Sequence, residues 1–91
     1  MFLAKVSGNL VATQKDLNLV GHKLLVTRPI NIDGDFISEK DVISLDLINS
    51  GIGDIVIVVQ EGDAVQQILN SKTTPVNTMI IAIVDDLEIN E

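Results

Sequence analysis

Five consecutive β-branched residues, Ile55-Val56-Ile57-Val58-Val59, lie between a glycine turn at Gly51-Ile52-Gly53 and a second glycine break at Gly62. Val and Ile are stiff at χ1 and fit a pleated surface, and an unbroken run of them lacks the alternation of a strand with one wet face. The run predicts a strand covered on both faces. A chain of 91 residues has little of its own to supply the second cover. At that length only about 60 to 65% of the unfolded surface is buried. The strand is therefore expected at the centre of a small barrel whose outer wall is covered by another subunit.

Composition supports that expectation. Hydrophobic residues make up 46% of the chain and the mean hydropathy is +0.38, with no cysteine for a disulfide and a single histidine. Without staples or a metal cluster, oligomerisation is the remaining source of extra burial for so small a domain. Thirteen acids against six bases give a net charge of −7. That balance repels phosphate backbones and weighs against nucleic acid as a partner. The longest apolar run, Met79 to Val84, is far shorter than the roughly 18 residues a membrane span needs. Lys5 and Asn9 interrupt the segment where a signal peptide would carry its apolar core. The expectation is a single domain over residues 1–91, cytoplasmic, with no membrane partner.

In chain order, Phe2 to Thr13 alternates loosely, as a half-buried strand does, and Gly8 within it marks a bend or bulge. Gln14 to Lys23 reads as a loop. Lys23-Leu24-Leu25-Val26-Thr27-Arg28-Pro29-Ile30 reads as a second strand, with Pro29 at its frayed or edge end because proline has no N–H for a ladder. Asp33-Gly34 predicts a type I′ hairpin turn. Ile37 to Lys40 reads as loop, and pairing is expected to resume over Asp41 to Asp46, with Val42, Ser44 and Asp46 on one face and Ile43 and Leu45 on the other. After the central strand, Asp63 and Gln66 have the spacing of a capping box, followed by Val65, Ile68 and Leu69 on one helical face. Asn70 to Pro75 ends that helix, and the last strand runs from Thr78, its acidic end from Asp85 to Glu91 leaving the barrel. The fold class expected is all-β: a small five-stranded OB-like antiparallel barrel with one short helix between the last two strands. Closure removes the exposed edges that an apolar sheet of this size could not protect.

Little in the chain reads as chemistry. Gly51-Ile52-Gly53 lacks the third glycine of a dinucleotide fingerprint and opens a strand rather than a helix. His22 has no partner at metal-ligand spacing. Asp33, Asp35, Glu39 and Asp41 do not fit a calcium loop, which would put Pro29 where a carboxylate is required, so they read as a solvated hairpin tip. No serine lies in a nucleophile-elbow context. No cofactor, no metal and no enzymatic activity are expected.

Ala4-Lys5-Val6-Ser7-Gly8, Thr13-Gln14-Lys15-Asp16, Leu19-Val20-Gly21 and Lys23-Leu24-Leu25-Val26 follow one another in an order that resembles the bacterial microcompartment vertex proteins. That group includes the carboxysome, ethanolamine-utilisation and propanediol-utilisation pentamers. Asp46 with Gly51-Ile52-Gly53-Asp54-Ile55-Val56-Ile57-Val58 matches the family's aspartate, glycine-rich turn and valine-rich strand. Pro75-Val76 and Ile81-Ala82-Ile83-Val84-Asp85 match its last strand. The resemblance runs from end to end. Two positions depart from it: Gln66 stands where the family often has the arginine of a G-S-S-A-R turn, and Asn77 where an aspartate follows Pro-Val. Any ion pair those two support elsewhere is absent or rewired here.

The resemblance implies a non-enzymatic shell protein. It further implies a cyclic homopentamer of OB-like barrels that caps the fivefold corners of a shell, with hexameric shell proteins as its other expected partners. Hexagons alone tile a plane, so closure needs fivefold points, and head-to-tail contacts build such rings. Within the ring, Ser50, Gly51, Ile52 and Gly53 are expected near the symmetry axis, because small residues let backbones converge. A turn far from the axis is the competing reading. Lys15, Lys23, Asp46, Asp54 and Gln66 are the candidate polar interface residues. The barrel alone would also suit an OB-type ligand- or nucleic-acid-binding module, although the chain has only Phe2 and Phe36 to stack on bases.

Overall fold

The structure is a computed structural model that describes residues 1–10, 23–69 and 76–85, with Gln66 and Leu69 described by backbone alone. Its elements are β1 (Phe2–Asn9), β2 (Lys23–Pro29), β3 (Val42–Asp46), β4 (Ile55–Gln60), α1 (Gly62–Leu69) and β5 (Thr78–Val84). The strands close into a barrel in the order β1-β2-β3-β5-β4, with β4 returning to β1 through Phe2↔Val58 to Lys5↔Ile55. The all-β barrel with one helix between its last strands is thus as expected, with one correction. The β3–β5 seam is parallel, pairing Leu45 with Met79 and Asp46 with Ile80. Strand directions cannot alternate all the way round a ring of five, because five is odd, and the short β3–β5 seam is where the barrel absorbs the mismatch.

Alternation along the strands sorts the side chains. Ala4, Val6, Leu25, Val56, Val58 and Ile80 fill the barrel with Phe2 packed against them. On the outer side of β2, β3 and β5, Leu24, Ile43, Leu45 and Met79 meet Val65 and Ile68 of α1 and Val76. The helix therefore covers one wall of the barrel. Gly8 sits at the predicted irregularity, where the β1–β2 register shifts between Val6 and Gly8. A second shift lies between Ile57 and Val58 on β4.

The parallel seam has only two paired residues, and buried hydroxyls extend it. Thr78 Oγ1 donates to the Ile43 carbonyl at 2.7 Å, and Ser44 Oγ lies 3.0 Å from Thr78 Oγ1. Thr27 Oγ1 donates to the Val42 carbonyl at 2.8 Å and lies 3.4 Å from Ser44 Oγ. With the Thr78 proton committed to Ile43, Ser44 is the donor to Thr78, so every buried hydroxyl of the cluster has a use for its proton.

Three local expectations are corrected. The β2–β3 reversal is not a type I′ turn, since that turn needs positive φ at both central residues and only Gly34 has it, at 90°. Instead Asn31 organises a wider loop: its Oδ1 accepts from Asp33 N and Asp35 N, each at 3.0 Å, and its N–H donates to the Asp35 carbonyl at 2.9 Å. A side-chain acceptor that mimics a backbone one removes the need for the primed geometry. Second, the helix is capped at Glu61, not Asp63. The Glu61 carbonyl accepts the first helical bond from Val65 N at 2.9 Å, which leaves Asp63 inside the first turn, where its charge favours the helix dipole. Third, Leu10 lies outside β1, which ends at Asn9, and β3 begins at Val42, one residue later than expected. The expectations over 11–22, 70–75 and 86–91 lie outside the described residues.

Candidate assembly site

The segment after β3 reverses the chain through Leu47-Ile48-Asn49-Ser50-Gly51-Ile52-Gly53 and returns at Asp54 into β4. Asp46 anchors its start. The Asp46 side chain is fully buried, and its Oδ1 accepts from Ile48 N at 3.2 Å and Ser50 Oγ at 3.1 Å. Its Oδ2 accepts from Ser50 N at 2.8 Å and lies 3.3 Å from Lys23 Nζ. Lys23, itself 40% exposed, also donates to the Ser50 carbonyl and to Asn49 Oδ1. A buried carboxylate is tolerable only when its lone pairs are taken up, and here four donors take them up.

Asp54 anchors the other end. Its Oδ2 accepts from Gly51 N at 2.8 Å and its N–H donates to the Gly51 carbonyl at 3.0 Å, closing a turn over Ile52 and Gly53. Gly53 has φ of 94°, the positive value that a type II turn requires of its third residue. Gly53 N and the Asp54 carbonyl also exchange hydrogen bonds with Val6 of β1, both at 2.9 Å. The result is a rigid, uncharged crest, with Leu47, Ile48 and Ile52 exposed on it and Ser50 buried beneath.

A second surface completes the site. Alternation turns Leu3, Ile57 and Val59 outward from β1 and β4, where they are only half-buried, and Ile81 on β5 is exposed. Leu3 pairs with Ile57, and Ile57 with Ala82, so an apolar row crosses three strands. Met1, Phe2, Leu3 and Ile57 line a shallow groove of about 270 Å³ on this wall. Unlike the wall beneath α1, this one has no cover from the described residues of its own chain.

The family described as "Ethanolamine utilisation protein EutN/carboxysome" matches residues 1–85. The chain belongs to the EutN/CcmL family. Among curated members it is 31% identical to the carboxysome shell vertex protein CcmL of Nostoc sp., covering all of this chain and 89% of that protein. It is 30% identical to the microcompartment shell vertex protein PduN of Salmonella typhimurium, covering 96% and 98%. Among solved structures, the GrpN pentameric microcompartment shell protein of Rhodospirillum rubrum superposes with a TM-score of 0.79 at 31% identity, covering 99% of this chain and 100% of that one. EutN from Escherichia coli gives the same TM-score at 31% identity, covering 98% and 90%.

Of the residues singled out from the sequence, the fold gathers Lys23, Asp46, Ser50, Gly51, Ile52, Gly53 and Asp54 into this one crest and its supports. The contacts of Lys23, Asp46 and Asp54 described above all lie within the chain, where they hold the crest in shape. Lys15 lies outside the described residues, and Gln66 is placed on α1 by its backbone. Asn77 is exposed, and its carbonyl accepts from Glu61 N at 3.1 Å at the start of α1. Of the two aromatic residues, Phe2 packs on the core and Phe36 lies under the Arg28 guanidinium, 5.3 Å from its centroid. Sequence reasoning missed the Thr27–Ser44–Thr78 cluster, whose members are scattered over three strands. It also missed the apolar character of the hairpin tip, where Ile32, Phe36 and Ile37 were available as a signal between the acids.

Proposed function

We propose that this chain is a non-catalytic structural subunit, and that five copies close into a ring that caps a fivefold corner of a bacterial microcompartment shell. The observation that carries the reading is the uncovered apolar wall of β1, β4 and β5. An outer wall of Leu3, Ile57, Val59 and Ile81 on so small a domain is stabilised by burial against another protein surface. Relatives named as shell vertex proteins, and a pentameric neighbour of the same fold, make a ring of copies the natural cover.

The crest fits the ring's axis. Around a symmetry axis each copy of a loop meets the same loop, so any charge on it faces its own kind. The segment Leu47 to Gly53 carries none in a chain of net charge −7, and the carboxylates at either end of it are turned onto its own backbone. In this reading Ser50, Gly51, Ile52 and Gly53 surround the axis.

Native mass spectrometry tests the proposal. The expected species is five times the 9.8 kDa chain. Ile57→Asp combined with Ile81→Asp should yield a folded monomer, because the charges stay hydrated on the free wall but are desolvated in the ring. A wild-type chain that stays monomeric at micromolar concentration, or a ring indifferent to both aspartates, defeats the proposal.

A further inference from the structure

The hairpin between β2 and β3 carries Ile32, Phe36 and Ile37, each more than half exposed, and neither the barrel core nor the α1 cover includes them. It is nevertheless held in one shape. Asn31 closes the tip as described, and Ile30 bridges to Phe36. Ile37 N donates to the Pro29 carbonyl at 3.1 Å, and Arg28 Nε lies 2.9 Å from Asp41 Oδ1 while its guanidinium covers the Phe36 ring. An apolar tip fixed in this way loses little further entropy on docking. Its rim is acidic, with Asp33, Asp35 and Glu39 all exposed.

We propose that this hairpin docks a different shell subunit, one that presents an apolar pocket ringed by lysine or arginine. Charge argues against a second copy as the occupant. Of the six bases in the chain, Lys23 is engaged with Asp46, Arg28 with Asp41, and Lys40 stands on the hairpin itself. Among the described residues Lys5 is the one base left outside these contacts, and the chain carries thirteen acids against six bases, so an acidic rim is better matched by a cationic partner than by a copy of net charge −7. The inference rests on the shell reading above, which supplies the class of partner. Its residues and its test are separate from those of the ring.

The test uses the full-length chain and, as probe, the purified hexagon-forming shell protein of the same organism, with affinity measured by biolayer interferometry and ring size by native mass spectrometry. The triple variant Ile32→Ser, Phe36→Ser, Ile37→Ser should keep its ring and lose at least about tenfold in affinity for the probe. Asp33→Lys with Asp35→Lys, which touches no apolar contact, should weaken binding in the same direction. Raising salt from about 50 to about 500 mM should weaken wild-type binding several-fold, because charge pairs at the rim are screened. Wild type that does not bind the probe, or a triple variant that binds it as wild type does, overturns the docking. So does a triple variant that falls to monomers, since the hairpin would then belong to the ring contact. A wild-type monomer that still binds through the hairpin would instead overturn the ring and leave the docking standing.

Discussion

Replacing Asp46 with alanine removes the one acceptor group that ties β2, the end of β3 and the crest together. Four protein donors lose their partner at once: Ile48 N, Ser50 N, Ser50 Oγ and Lys23 Nζ. Ser50 is buried, so its two donors have no ready access to water, and a buried donor left unsatisfied costs about 1–3 kcal/mol. Ile48 is partly exposed and recovers most of its loss from solvent. The lysine contributes less than its distance implies: at 40% exposure it rehydrates, and an ion pair of that kind is worth about 0–1 kcal/mol. Against these losses stands the desolvation penalty of the carboxylate, which the variant no longer bears. The net expectation is a destabilisation of about 2–4 kcal/mol, a large share of the roughly 5–15 kcal/mol that holds a domain together. For a domain of this size that is a fall in melting temperature of roughly 10–25 °C.

Urea denaturation followed by circular dichroism, at one fixed chain concentration because a ring's stability depends on it, gives the free energies. Asp46→Asn should fall between, near about 1–2 kcal/mol, since an amide keeps one oxygen for the loop and turns an NH₂ toward the remaining donors. Lys23→Met should cost least, about 1 kcal/mol, as the carboxylate retains its N–H and O–H partners. The reasoning is refuted by an Asp46→Ala variant within about 0.5 kcal/mol of wild type, or by Lys23→Met costing more than Asp46→Ala. The first result would mean that the hydrogen bonds to Asp46 do no more than offset its desolvation, and the second that the charge pair, not hydrogen-bond satisfaction of the crest, sets the energy.

Thr78→Val should destabilise the fold by about 1–2 kcal/mol in the same assay, because the Ile43 carbonyl loses its donor and Ser44 its acceptor, while Thr78→Ser should retain most of the stability. The ring should tighten as salt rises from about 50 to about 500 mM, since five copies at −7 each repel one another and screening relieves that repulsion. Analytical ultracentrifugation across the salt series reads this directly, and a ring that dissociates on adding salt contradicts it.

The barrel was legible where one residue type decides one local outcome. Val56 and Val58 signal a strand through χ1 restriction alone, and Gly8 signals its bulge through the missing Cβ. Partnerships between distant residues were not legible, because nothing in a single sequence fixes which strands lie side by side. Thr27, Ser44 and Thr78 read as ordinary strand residues until the β2–β3 and β3–β5 registers bring them together. Asp46 and Lys23 were noted through resemblance, and only the fold makes them supports of one loop. The parallel seam could have been deduced from parity once five strands and closure were accepted. The Glu61 cap could not, since glutamate is a weak capping residue and Asp63 offered the stronger local signal.

Closure also constrains how the subunits can join. With β4 returned to β1, little strand edge is left free among the described residues for a neighbour to extend the sheet by backbone pairing. The proposed contact is therefore made by side chains on the outer wall, and those residues are a different set from the ones that fold the barrel: Val56 and Val58 point in, while Ile57 and Val59 point out. In the proposed ring, folding and assembly thus reside on alternate residues of one strand. A charge at Ile57 can cut the ring and leave the barrel whole, whereas the same charge at Val56 would enter a sealed apolar interior and unfold the subunit before assembly was ever in question.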